Sequence, residues 1–425
     1  MVQLFFGAAV ILLILGVPIA VTVGFSSIIF ILASGIQPSI VIQRLFMGID
    51  STALMAIPMF ILAGELMNRG GLGTRLVKLI NNLVGSVTGG LALVAIMSCM
   101  FFAAISGSGV ATAAAIGGIL IPAMALEGYD RSYAGAVIAT ASPIGVIIPP
   151  SISFVVYGVL ANVSITDLYK AGIPAGIIMG LALMTVAYII ARKRKYKPAK
   201  KEVGVQSLQK DRSLKTFLDP LWALMTPVII VGGVFGGIFT ATESAVVAVV
   251  YSMFVGLFIY KELKWKDIPK IILEAAIGSA KIMFIIANAM LFAWVMAYAR
   301  IPQMILSGFL SMNMGTVATL LFINLVLLIA GTFMETSAIL LIAVPIFLPL
   351  VVALGVDPVH FGIIVTVNTA VGLVTPPFGV CLFTASAVSG VSIPKLSKAV
   401  LPFIAAMIVA TLIITFIPQL VMFLV

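Results

Sequence analysis

The sequence predicts an all-α polytopic membrane protein made of two inverted-topology repeats, each with a re-entrant hairpin and a broken helix. Three observations lead there. Of 425 residues, 62% are hydrophobic and 9% charged, and mean hydropathy is +1.27. Apolar runs of about 17–25 residues, the length that spans ~30 Å of hydrocarbon, recur from end to end. The two halves also spell one unit twice: 126–152 reads LEGYDRSYAGAVIATASPIGVIIPPSI and 353–379 reads ALGVDPVHFGIIVTVNTAVGLVTPPFG. At a constant offset (349 − 122 = 227), Pro122 meets Pro349, Gly128 meets Gly355, Asp130 meets Asp357 and Gly135 meets Gly362. Gly145 meets Gly372, and Pro149-Pro150 meets Pro376-Pro377. Finally, both copies are interrupted by Gly and Pro at the same place, the pattern of secondary transporters whose sites lie at broken helices.

Past the proline pair the offset slips by one, so that VSI at 163–165 answers VSI at 391–393, Lys170 answers Lys398 and Pro174 answers Pro402. Near the start of each half, MFILA at 59–63 mirrors MFIIA at 283–287. The first repeat occupies 1–190, a basic connector 191–216, and the second repeat 217–425. The first thirty residues are apolar without a basic n-region and run into further membrane segments, so they are read as a span and not as a cleaved signal peptide.

Each element follows in order. Long apolar helices are expected at about 4–33 and 50–68, then a hairpin at about 91–125, where Ser106-Gly107-Ser108-Gly109 interrupts two apolar arms slightly short of a full crossing. A broken helix follows at about 132–162, interrupted from Gly145 to Pro150. The second half gives helices at about 220–260 and 272–298, a hairpin at about 316–352 interrupted at Met334-Glu335-Thr336-Ser337, and a broken helix at about 359–389 interrupted from Gly372 to Pro377. Between 260 and 270, YKELKWKDIPK reads as an interfacial elbow with Trp265 at headgroup level. Gly232/Gly236 and Gly233/Gly237 are spaced for close helix packing in lipid. With no Lys-Ser/Thr after them they form no phosphate loop, and nucleotide binding has no support.

Charge assigns topology. The net charge is +10, yet ten of the 24 Lys and Arg lie between Arg192 and Lys215, in the one long polar stretch. By the positive-inside rule this stretch is a cytoplasmic loop, with contact to phospholipid or a partner as the other reading; it is no nucleic-acid footprint. Cys99 and Cys381 lie in apolar segments without neighbouring His or Cys, so neither a transition-metal site nor a disulfide is expected. His360 falls opposite Tyr133 of the other half and reads as a positional residue.

The breaks carry the chemistry. Proline removes an amide donor and clashes with the preceding turn, so the helix unwinds there. Carbonyls freed in hydrocarbon cost several kcal/mol each unless something satisfies them. A Na⁺ ion satisfies them directly, and each repeat offers hydroxyls at a hairpin tip beside carbonyls of a break. Two repeats thus predict two cation sites. A carboxylate between the tips would meet helix N-termini, backbone amides and the hydroxyls of Ser108 and Thr336, with Asn368 nearby. No cationic side chain presents itself for it, since Arg300 reads as an interfacial anchor. Charges inside apolar runs are functional candidates: Glu65, Glu243 and Glu335, of which Glu65 has a tethering alternative through Arg69. These carboxylates keep H⁺ coupling open as a rival to Na⁺. An intramembrane enzyme would need a constellation such as HExxH or paired aspartates. The chain has one His, and Asp130 and Asp357 read as helix caps. A channel would need a filter and gate, whereas a fused inverted repeat points to alternating access.

SGSGVATAAAIGGILIPAM at 106–124, SPIGVIIPPS at 142–151, IPMFILAGELMNRGGL at 57–72, FTATESAVVAVVY at 239–251 and TPPFGVCLF at 375–383 resemble the large membrane subunit of tripartite ATP-independent periplasmic (TRAP) transporters. The resemblance runs over essentially the whole chain; a more remote one is to divalent-anion/sodium symporters. It implies a multi-pass protein of the bacterial inner membrane that imports a small organic acid, of the sialic acid or C4-dicarboxylate type, by Na⁺ symport. It implies an elevator mechanism, with a transport domain of hairpins and broken helices sliding against a scaffold. It implies two partners, a soluble periplasmic substrate-binding protein and a small four-helix membrane subunit. Carried over by position, the first sodium site uses Ser106, Gly107, Ser108, Gly145, Ile148 and Pro149. The second uses Glu335, Thr336, Ser337, Gly372, Thr375 and Pro376.

Overall fold

The computed structural model describes residues 1–196, 214–311 and 315–425. Among them every regular element is helical. The first half contains α1 (Val2–Ile14), α2 (Ile19–Ala33), α3 (Ser39–Ile49), α4 (Ala56–Arg69) and α5 (Leu72–Val84). It continues with α6 (Gly90–Ser106), α7 (Gly109–Leu126), α8 (Arg131–Ala141), α9 (Ile152–Ala161) and α10 (Ile165–Lys193). The second half contains α11 (Leu214–Phe235), α12 (Ala241–Phe254), α13 (Ile268–Tyr298) and α14 (Ile301–Ser311). It ends with α15 (Thr316–Phe333), α16 (Thr336–Ala353), α17 (Pro358–Gly372), α18 (Val380–Ser389), α19 (Ile393–Phe416) and α20 (Gln419–Met422). Among the described residues, seven helices are long and apolar enough to cross a membrane, or up to eight if the pair Ser39–Ile49 and Thr52–Arg69, bent by 60°, counts as one span. The protein is a multi-span membrane protein.

Local chemistry places the ends. The helix expected over 4–33 is two helices, because Gly16 adopts φ +76° and Pro18 follows two residues later, stopping α1 before α2 starts. The helix expected over 220–260 also divides: α11 stops at Phe235, Gly237 turns at φ +67°, and Thr240 caps α12. Among the described residues, none of the four glycines there abuts another helix of this chain. Gly233 abuts the Phe239 ring, and nothing lies near a Cβ built on Gly232 or Gly237. Three of the four hairpin arms are 18 residues long and meet the length for a crossing, against the expectation that the arms fall slightly short. Most of the basic connector, residues 197–213, lies outside the described residues.

The core forms around α8 and α17. Every residue of α8 from Ser132 and of α17 from Val359 is buried, as expected for helices apolar all round. The halves interlock: α8 packs on α19 and α17 on α10, while α7 packs on α18 and α16 on α9. Tyr157 of α9 donates a hydrogen bond to the Pro358 carbonyl that opens α17, and its ring fills the space beside Gly362. Each hairpin is thereby held against the break of the other half.

A cavity shared by two hairpin tips

At the first tip, Gly107 takes φ +61°, which ends α6, and its amide bonds the Ala103 carbonyl at 2.8 Å. Ser108 then caps α7, its Oγ accepting from the Ala111 amide at 3.3 Å. Ser106 Oγ lies 3.0 Å from Thr112 Oγ1, which donates to the Ser108 carbonyl at 2.8 Å. Behind the tip, Gly145 sits in a tight turn spanning Ser142–Val146, so close to Ala103 that any side chain would overlap it. Ser151 closes the break by donating to the Val146 carbonyl at 2.6 Å and capping α9. Among the described residues no hydrogen bond falls on the Ile148 or Pro149 carbonyl. These are the freed acceptors that the Pro-Pro break was expected to leave.

The second tip is built alike with one difference. Met334 is extended and Glu335 stands at the N-cap of α16, but its carboxylate makes no cap bond. Thr336 Oγ1 is buried without a partner among the described residues. Gly331 of α15 and Gly372 of α17 meet backbone to backbone, since a Cβ on Gly331 would lie 2.8 Å from the Gly372 Cα. Here the Gly372 carbonyl accepts from the Thr375 amide at 2.9 Å and the Thr375 carbonyl from Gly379 at 3.2 Å, while Thr375 Oγ1 donates to Val371 at 2.8 Å. The second break is therefore more self-satisfied than the first. Both Pro-Pro bonds, Pro149-Pro150 and Pro376-Pro377, are cis.

Both tips line one cavity of about 390 Å³. Ser106, Gly107 and Ser108 come to it from the first half, and Glu335, Thr336 and Ser337 from the second. Four helices begin at its wall: α7 at Gly109, α9 at Ile152, α16 at Thr336 and α18 at Val380. A helix N-terminus carries about half a positive charge, and no Lys or Arg is among the residues that line this cavity. The charged lining residues are Glu65 and Glu335. Glu65 stands on α4 beside Asn68, opposite Gly278 and Ile282 of α13.

The remaining predicted residues fall elsewhere. Gly145, Ile148, Pro149, Gly372, Thr375 and Pro376 lie in the breaks behind the tips and outside the cavity lining. Asn368 is not beside the tips: it donates to Asn324 and to the Ile364 carbonyl, and with Thr411 borders a separate cavity of about 170 Å³. Glu243 is exposed at the start of α12, where its Oε2 accepts from the Thr240 amide at 2.8 Å in a capping box. Arg69 pairs with Glu274 and leaves Glu65 without that tether. Thr112, Ser151, Ser153 and Asn68 were missed. Thr112 and Ser108 stand one helical turn apart, a spacing that could have flagged the pair.

Comparison with solved structures shows the fold is one that membrane transporters use. The YdaH transporter of Alcanivorax borkumensis superposes with a TM-score of 0.66 at 13% identity, covering 88% of this chain and 86% of that one. MtrF of Neisseria gonorrhoeae does so with a TM-score of 0.63. The family model "Tripartite ATP-independent periplasmic transporter, DctM component" matches residues 6–420. The chain belongs to this family, the DctM-type large permeases of TRAP transporters. Relatives include the isethionate TRAP transporter permease protein DctMQ of Oleidesulfovibrio alaskensis, 46% identical over 98% of this chain. The chain spans 65% of that relative's length. The C4-dicarboxylate TRAP transporter large permease DctM of Pseudomonas aeruginosa is 43% identical over 88% of this chain and 86% of its own length. The sialic acid TRAP transporter large permease SiaM of Vibrio cholerae is 35% identical over 96% of this chain and 94% of its own.

Proposed function

We propose that this permease imports a small organic anion across the bacterial inner membrane by Na⁺ symport, in an elevator movement of hairpins and broken helices against a scaffold. The observation that carries the reading is the convergence of two hairpin tips and four helix N-termini on one cavity. The N-termini favour a carboxylate or sulfonate. Two Na⁺ ions are placed behind the tips, the first among Ser106, Gly107, Ser108, Gly145, Ile148 and Pro149. The second lies among Glu335, Thr336, Ser337, Gly372, Thr375 and Pro376. The open carbonyls of Ile148 and Pro149 and the unpartnered Thr336 hydroxyl support these positions. The relatives' names point to isethionate, C4-dicarboxylate and sialic acid as the substrates to try. A periplasmic binding protein delivers the substrate and a small four-helix membrane subunit completes the scaffold.

Energetics fit. Each positive charge moving inward gains ~2.3 kcal/mol per 100 mV. Two Na⁺ with one monovalent anion move net positive charge inward, so both the ion gradient and the potential drive uptake without nucleotide. A second reading, H⁺ coupling, draws on the two carboxylates that line the cavity, Glu65 and Glu335. Uptake by proteoliposomes containing the chain, the small subunit and the binding protein separates the two. With the Na⁺ gradient and the pH gradient set independently, the Na⁺ reading requires uptake to follow Na⁺ alone. Uptake that follows only the pH gradient moves the chemistry to Glu65 and Glu335.

A further inference from the structure

The elbow between α12 and α13 presents a cluster of positive charge that, among the described residues, makes no ion pair. Lys261, Lys264, Lys266 and Lys270 are all exposed within ten residues. Of the two acids among them, Glu262 is taken by Arg75, whose Nη1 lies 2.6 Å from Glu262 Oε1, which leaves Asp267 alone against four lysines. Beside them stand two exposed aromatic rings: Trp265, 66% exposed, meets Phe258, 55% exposed, edge to face at 6.4 Å between centroids. The elbow joins two segments, Ala241–Ile259 and Trp265–Tyr298, that are each long and apolar enough to cross a membrane, so it lies at the bilayer boundary. Exposed Ile272 and Leu273 continue the same surface into α13.

The elbow is also held rigidly. The Arg75 guanidinium stacks 3.8 Å from the Tyr260 ring centroid while binding Glu262 and the Gly71 carbonyl. Gly71, at φ +75°, packs so closely on the Glu262 carboxylate that a side chain there would overlap it. Leu263 is buried beneath. The α4–α5 turn therefore clamps the elbow from inside and presents its lysines and tryptophan outward. Lysines at headgroup level beside an amphipathic ring that sits at the interface match an anionic phospholipid, whose phosphate meets the ammonium groups and whose chains lie along the rings.

We propose that Lys261, Lys264, Lys266 and Lys270 with Trp265 and Phe258 form a binding site for an anionic phospholipid. Native mass spectrometry of the full-length chain, released from micelles containing phosphatidylglycerol or phosphatidylcholine, tests it. The wild type should retain phosphatidylglycerol preferentially. K264Q/K266Q should lose that preference, by roughly fivefold per lysine removed, the weight of one lysine near an anionic leaflet. The single variants K264Q and K266Q give the same reading should the double variant fail to fold. K197Q/K200Q/K201Q, in the basic connector, should keep the preference. Retention unchanged in the elbow variants, or lost in the connector variant instead, overturns the proposal. Displacement of the lipid by millimolar glycerol phosphate would make this a soluble-phosphate site and overturn it equally.

Discussion

Tyr133 and His360 make the same tertiary hydrogen bond from corresponding places in the two halves. Tyr133 Oη donates to the Ala187 carbonyl at 2.8 Å, and His360 Nε2 lies 2.9 Å from the Ile414 carbonyl, each acceptor 54 residues downstream. A carbonyl can only accept, so Nε2 carries the proton. Each bond ties the third residue of a core helix, α8 or α17, to the long helix that closes its own half, α10 or α19. The correspondence extends from sequence to buried polar contacts, and it supports the doubled-unit reading. Tyr133→Phe should cost about 1 kcal/mol, the usual worth of one hydrogen bond, without abolishing transport. Because the two bonds share no residue, Tyr133→Phe and His360→Phe should be close to additive in thermal unfolding.

The contact between Gly331 and Gly372 is backbone against backbone, so neither neighbour can swing away. Gly372→Ala should destabilise by about 1–3 kcal/mol through overpacking and lower uptake by shifting the hairpin relative to the break. Gly118→Ala serves as the control, because nothing lies near a Cβ there. The melting temperatures of the two purified variants check this.

Thr336 Oγ1 is a buried hydroxyl without a partner among the described residues, which is costly unless something fills the role. Thr336→Val keeps the shape and removes the polar atom. Without sodium the variant should melt at or above the wild-type temperature. The stabilisation that NaCl gives the wild type beyond KCl should fall. Equal sodium stabilisation in both proteins would exclude Thr336 from the ion site.

Asp130 caps α8 from the extramembrane turn after α7, with Arg194 at 3.9 Å. Partial burial raises its carboxyl, but the Tyr133 amide, Ser132 and the charge of Lys395 outweigh it and hold it below the usual carboxylate range. A depressed folded value means that the carboxylate stabilises the fold above the ordinary carboxylate range. That contribution is lost as pH falls through the folded value. Asp130→Asn should therefore melt below the wild type at neutral pH, and the gap should close in acid.

Much of the fold was legible because breaks in membrane helices are written in few residues. The tips at Ser106–Gly109 and Glu335–Ser337 and the breaks ending in Pro-Pro could be read directly, since glycine and proline act locally. What failed depended on packing or on a competing local signal. Asn368 sits on a helix buried on all sides, and sequence does not say which neighbour its amide meets; that neighbour is Asn324. Arg69 had Glu65 one turn away yet took Glu274 of α13, a tertiary partner that spacing cannot reveal. Thr240 and Glu243 carry the capping-box pattern, but the apolar run around them drew the reading towards an intramembrane charge. Helix N-termini at the two tips were expected from the sequence; that α9 and α18 begin at the same cavity was out of reach, because it needs the interlock of the two halves.

The proposed coupling is of one organic anion to two sodium ions at this cavity. It is tested by the ratio of ²²Na⁺ to labelled anion taken up by proteoliposomes holding the permease with the proposed small subunit and binding protein, with the potential clamped. About two sodium ions per anion and an inward positive current are expected for a monovalent substrate. In Thr336→Val the ratio should drop towards one. Anion uptake without accompanying sodium, or a ratio unchanged in the variant, would contradict it.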